Sequence, residues 1–121
     1  MPTPSVIPVI GRRADQVGEI KAKISHYWPP LGGVNCSRFI AGECVAKMAS
    51  GLRWQDWINK ACACPIEYPF GTRFKLANGS IWECQDRGGA IVTAGGVPWL
   101  DLLQQKASYS FGSIQNVEVL K

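Results

Sequence analysis

The chain has one histidine, two methionines and charged residues at only 18% of its 121 positions, and each scarcity removes a class of function. A lone His26 leaves any structural zinc site to the cysteines, and their Cys-x7-Cys and Cys-x-Cys spacings do not make the paired sets that zinc favours. No metal and no organic cofactor is expected. No apolar run reaches the roughly 20 residues of a membrane-spanning helix. The opening segment, MPTPSVIPVIGRR, lacks the order of a secretory signal, because its charges follow the apolar run and prolines interrupt it. Lys and Arg are scattered rather than gathered into a stripe, so the net charge of +4 leaves no nucleic-acid footprint. A mild positive charge would instead favour approach to an anionic polymer.

Cysteine, by contrast, is plentiful. Five in so short a chain, four of them between positions 36 and 64, suit a disulfide framework in an oxidising setting. Cys36 with Cys44 and Cys64 with Cys84 are the candidate pairs, worth about 2.5 and about 3 kcal/mol on a chain-entropy basis. An odd count leaves one thiol over, which on this pairing is Cys62; a bridge between the neighbouring Cys62 and Cys64 would be strained. An oxidising destination without an export signal fits a trimmed chain or a virus-encoded one released on lysis. The expected location is therefore extracellular, in the cell envelope or on a virion.

The length allows one domain. Residues 1–17 read as an extended proline-rich arm, a linker or a strap against a virion or envelope protein, and 18–121 as the domain. Residues 19–28 alternate polar and apolar, the period of a half-buried strand, and Pro29-Pro30 ends it. A loop follows from Asn35 to Glu43, then a short buried strand from Cys44 to Gly51. In Arg53 to Cys62, Trp54, Trp57, Ile58 and Ala61 share one face at helical spacing, so a helix is expected there. Residues 70–76 and 80–84 alternate on either side of Asn78-Gly79, a hairpin signal. Residues 113–120 form a terminal strand with Val117 and Val119 on one face. About six short strands and one helix imply an all-β barrel with helical decoration.

The residues with most chemistry lie between Trp82 and Leu103. Asp86 precedes Gly88-Gly89-Ala90-Ile91, and Asp101 sits among Trp99, Leu100, Leu102 and Leu103. A carboxylate in apolar company suits a cleft where an acid keeps its proton near neutral pH. Each aspartate also has a plainer reading. Asp86 can serve as a turn residue bonding its own backbone or pairing with Arg87. Asp101, ahead of Leu-Leu-Gln-Gln-Lys, can cap a helix. Trp54, Trp57 and Trp82 read as core, and His26 as a surface polar residue.

The order Val45-Ala46, Ala49-Ser50-Gly51, Pro69-Phe70-Gly71-Thr72, Asp86-Arg87-Gly88-Gly89-Ala90-Ile91, Leu100-Asp101-Leu102-Leu103 resembles the 3D domain. This is the double-psi β-barrel of MltA-type lytic transglycosylases and of stationary-phase-survival and resuscitation-factor-like wall enzymes; barwin- and expansin-like barrels are similar more distantly. The resemblance spans residues 45–103 and implies a six-stranded double-psi barrel that cleaves peptidoglycan glycan strands between N-acetylmuramic acid and N-acetylglucosamine. It places the catalytic acid at Asp101 and a second cleft aspartate at Asp86. Backbone amides of Gly88 and Gly89 are candidates to contact sugar hydroxyls, because glycine admits close approach. Trp99 and Tyr27 are candidates to stack on sugar rings. Arg87 stands where the family carries a small threonine. The second expectation, of a different class, is a non-catalytic barrel that binds the wall or serves as a virion component.

Overall fold

The computed structural model describes residues 18–105 and 113–120. The proline-rich arm assigned to residues 1–17 lies outside the described residues. Nine strands are present among those described: β1 (Gly18–Tyr27), β2 (Phe39–Ile40), β3 (Glu43–Cys44), β4 (Ala61–Ala63), β5 (Arg73–Lys75), β6 (Ile81–Asp86), β7 (Thr93–Ala94), β8 (Val97–Leu103) and β9 (Ser113–Leu120). Six of them run β1-β9-β5-β6-β4-β8, and β8 returns to pair with β1, so the sheet closes into a barrel. The all-β barrel expected from the sequence is the fold. Two joints are parallel, β1 with β8 and β4 with β6, and the remaining four are antiparallel. Closure leaves no long unpaired edge among the barrel strands, which removes the usual hazard of a small sheet.

Alternation explains the filling. In β1, Ala22 and Ile24 turn inward while Lys21 and Lys23 turn out; Phe74, Trp82, Cys84, Leu100, Leu102 and Val117 complete the interior. Val119 packs against the same cluster from the rim, so the two valines of the terminal strand do share a face. A second cluster, around Met48, Trp54, Ala61 and Leu103, lies on the other side of β4 and β8. It seats the long excursion between β1 and β4. The turns follow the glycines. Gly79 (φ +88°) closes the β5–β6 hairpin, and Gly95 and Gly96 (φ +58° and +79°) close β7–β8 with the paired positive φ of a two-residue hairpin.

Three local expectations fail. The helix over Arg53–Cys62 is absent: a single 3₁₀ turn, Trp54–Asp56, is followed by Asn59 at φ +63° and then by β4. Ala61 and Cys62 are drawn into the barrel ladder, while Trp54 meets Trp28 edge-on at 5.5 Å and its indole N–H donates to the Cys44 carbonyl. Tertiary pairing overrides a short helical period. The strand expected over Cys44–Gly51 stops at Cys44, because the amides of Met48, Ala49 and Ser50 donate to Leu52, Asp86 and Gln85 instead of to a ladder. Asp101 caps no helix; it lies inside β8.

Both candidate disulfides are formed, Cys36–Cys44 and Cys64–Cys84, and Cys62 is a free buried thiol. Disulfides therefore account for four of the five cysteines, and the zinc alternative falls.

Candidate functional site

One register carries the site. Ala63 in β4 is the Cα partner of Asp86 on one side and of Asp101 on the other, and Asp101 is in turn the partner of Ser25 in β1. Asp86, Ala63, Asp101 and Ser25 thus form a row across four adjacent strands, and residues opposite one another share a face. The two aspartates are two strand spacings apart, roughly 10 Å at Cα. Between them lies only the methyl group of Ala63, which leaves space above it. The row depends on a bulge. Cys62 pairs with Cys84 but Ala63 pairs with Asp86, so Gln85 is an extra residue in β6. Without that extra residue the alternation would send Asp86 to the opposite face from Asp101. Bulges re-aim side chains in this way.

The row forms the floor of a groove of about 590 Å³. Asp101, Asp86, Gly88, Gly89, Trp99 and Tyr27, spread over 75 positions of sequence, all line it.

The two carboxylates are held differently. Asp86 is engaged at both oxygens: Oδ1 accepts the amides of Ala49 (2.9 Å) and Arg87 (2.8 Å), and Oδ2 accepts the Tyr27 hydroxyl (2.8 Å). It is a clasp joining β6, the segment after Cys44 and the end of β1. The turn-residue reading of Asp86 is thus met in part, by the Arg87 amide, within a wider bonding role. Asp101 accepts one hydrogen bond from Ser25 Oγ (2.7 Å), and Ser25 Oγ accepts the indole N–H of Trp99 (2.6 Å). Burial pushes the Asp101 carboxyl above the usual carboxylate range; the Ser25 hydrogen bond and His26 oppose this, and the like charge of Asp86 adds to it. Burial is therefore the main cause of the rise, ahead of repulsion between the pair.

The aromatic candidates are both tied to this frame. Tyr27 spends its proton on Asp86, and burial followed by that carboxylate pushes its phenol well above the ordinary value. The Lys23 ammonium lies 3.7 Å from the Trp99 ring centroid, so one face of that ring is covered. A sugar can stack only on the other. Gly88 and Gly89 are exposed on the groove wall, but the close approach at Gly88 is to the protein itself: a Cβ there would come within 2.7 Å of Ile91 Cγ1. Gly88→Ala is accordingly expected to displace the buried Ile91, to cost about 1–3 kcal/mol of stability and to reshape the wall. Thermal melting and ligand affinity of the variant check this together.

Sequence reasoning missed Ser25, Ala63 and the work of Arg87. Ser25 is only 3% exposed although it lies on the same strand face as the outward lysines of β1, because β8 and the groove wall cover that end of the strand. The Arg87 guanidinium donates to the Tyr68 carbonyl (2.8 Å), lies 3.0 Å from both sulfurs of Cys64–Cys84 and stacks on Phe70 at 4.1 Å. It braces the groove wall and is unavailable to a ligand. Beneath the row, the Cys62 thiol is pushed up by burial, then by Asp101 and Asp86, so it is an inert thiol rather than a nucleophile.

Ser25→Ala removes the acceptor of Trp99 Nε1 and the hydrogen bond that restrains the Asp101 carboxyl. The expected results are a stability loss of about 1–2 kcal/mol and a further upward shift in the titration of the Asp101 carboxyl. Ser25→Thr should restore both, read from melting curves and an NMR titration of that carboxyl. Comparison with known protein families, characterised proteins and solved structures finds no match to this chain.

Proposed function

We propose that the protein cleaves peptidoglycan glycan strands as a lytic transglycosylase with Asp101 as its single acid and base. The observation that carries this reading is the asymmetry of the two carboxylates in one groove: Asp101 is buried enough to hold a proton above the usual range, while Asp86 has both oxygens engaged. Two-carboxylate glycosidases need a second group free to activate water or attack the sugar. Asp86 is not free to do so.

In the proposed reaction the protonated Asp101 donates to the glycosidic oxygen linking N-acetylmuramic acid to N-acetylglucosamine as the bond to the anomeric carbon breaks. The resulting carboxylate then accepts the proton of the muramic acid C6 hydroxyl as that oxygen bonds to the anomeric carbon. A 1,6-anhydro end forms, no water is consumed and Asp101 is again protonated. Ser25 and Trp99 fix the rotamer of the acid, and general acid–base work of this kind contributes on the order of 10²–10⁴ in rate. The two disulfides suit an oxidising location such as the envelope or a virion.

Incubation with purified sacculi tests the proposal by mass spectrometry of the soluble products. Anhydro-muropeptides are expected. Products carrying one more water would point to hydrolysis and overturn the single-acid scheme. Binding to sacculi without release of any product would instead support the non-catalytic wall-binding barrel.

A further inference from the structure

The groove has a polarity that the cleavage chemistry does not use. Its Asp101 end carries Trp99, Ser25 and the lysine that covers the indole. Its Asp86 end is walled by the segment that follows β1, and three of the wall's residues decide its character: Val34, Lys47 and Met48. That wall is fixed at both sides of Lys47. The Cys36–Cys44 disulfide holds it three residues before, and the Ala49 amide bonded to Asp86 holds it two residues after. Two residues of chain span at most about 7 Å, so the Lys47 backbone stands beside the Asp86 clasp.

Three cationic or cation-forming side chains line the groove: His26, Lys47 and Arg87. Arg87 is committed to Tyr68, Phe70 and the disulfide, and His26 is engaged. Among the described residues Lys47 makes no hydrogen bond or ion pair, and it is exposed on the rim. Val34, 91% exposed, lines the same groove and adds an apolar surface to it. A free ammonium and an aliphatic surface in one groove, the ammonium on an anchored wall, match a carboxylate carried on a short aliphatic arm. Because Lys47 stands at the Asp86 end of the groove, a carboxylate held by it fixes which part of the strand lies there.

We propose that the Lys47–Val34 wall is a subsite for an acidic branch of the sugar polymer, and that it sets the direction in which the strand lies across Asp101. The proposal rests on the glycan reading of the groove and names the substrate class within it: an amino-sugar chain bearing carboxylate side branches, in preference to a neutral one.

Calorimetric binding of two oligosaccharides of equal length tests it, one a neutral chain of N-acetylglucosamine and one alternating N-acetylglucosamine with dipeptide-bearing muramic acid. The parent should bind the acidic chain more tightly, with an advantage that shrinks as salt rises. Lys47→Gln should weaken the acidic chain roughly three- to fivefold, the scale of one exposed ion pair, and leave the neutral chain unchanged. Lys47→Arg should restore the preference and Lys47→Glu should reverse it. Equal affinity of the parent for both chains, or equal loss of both in Lys47→Gln, overturns the subsite alone. Failure of both chains to bind the parent overturns the glycan reading and the subsite with it. Because binding is read without turnover, a Lys47 effect in a protein that releases no product keeps the subsite and removes only the catalytic claim.

Discussion

Asp101→Asn is expected to lower glycan cleavage by about 10²–10⁴-fold while raising the melting temperature near neutral pH. The two effects share one cause. Burial holds the Asp101 carboxyl above its ordinary range, so its folded-state pKa exceeds its unfolded-state value. A group shifted in that direction contributes stability that is fully present below the unfolded pKa and lost as pH rises through the folded one. Once pH exceeds that raised pKa the parent carries a half-buried carboxylate with one hydrogen bond, whereas asparagine in its place stays neutral and can still accept from Ser25. The gap in melting temperature between variant and parent should therefore widen from acid to neutral pH. Under the proposed reaction, cleavage by the parent should fall over the same interval, because the acid form that starts it is being depleted. A variant that melts below the parent by one constant amount across this range would show that Asp101 is a structural residue and not a strained acid.

The second large effect is expected from Cys64→Ala with Cys84→Ala. The bridge closes a sequence separation of 20 residues and ties β6 to the residue that follows β4, beside the bulge that aims Asp86. Its loss should cost about 3 kcal/mol from chain entropy, before any cavity is counted. For a domain of this size that corresponds to a fall on the order of 10 °C in melting temperature. A further consequence separates this bridge from the other one. Arg87 rests on both sulfurs, so removing them loosens the residue whose amide bonds Asp86, and ligand affinity should fall with stability. Opening Cys36–Cys44 should cost about 2.5 kcal/mol and act on the Lys47 wall instead. Both half-cystines of the larger bridge are fully buried, so reductant should leave it intact in the folded protein and lower the midpoint only once unfolding exposes it. Melting curves with and without reductant, beside those of the double variant, check each part.

Part of the barrel was legible in the sequence because several of its strands obey a two-residue period; β8 was not expected as a strand, since Asp101 ahead of Leu-Leu-Gln-Gln-Lys also reads as a helix cap. β1, the β5–β6 hairpin and β9 are marked by alternation and by Asn78-Gly79, which act locally. β4 was not legible. Three residues, Ala61–Ala63, carry no period, and the tryptophans before them imitate a helix while packing into the second cluster. The site divides along the same line. Residue types and neighbours were enough to single out Asp86 and Asp101. Their placement on one row depends on Gln85 being an extra residue opposite β4, and a bulge of one leaves no mark in composition. Ser25 was hidden for a related reason, since its burial comes from β8, far away in the chain.

The parallel joint of β1 and β8 closes the barrel, and the Ser25–Asp101 hydrogen bond crosses it between residues 76 positions apart. The seam is therefore both a join of the wall and the support of the candidate acid. A chain with the other five barrel joints made and this one open would possess most of its sheet and still lack a braced acid, and a pairing over so long a separation carries a loop-closure cost before it is rewarded. Under the proposed reaction, chains in which this joint is open would be inert towards a glycan. Competence would require the closed cylinder.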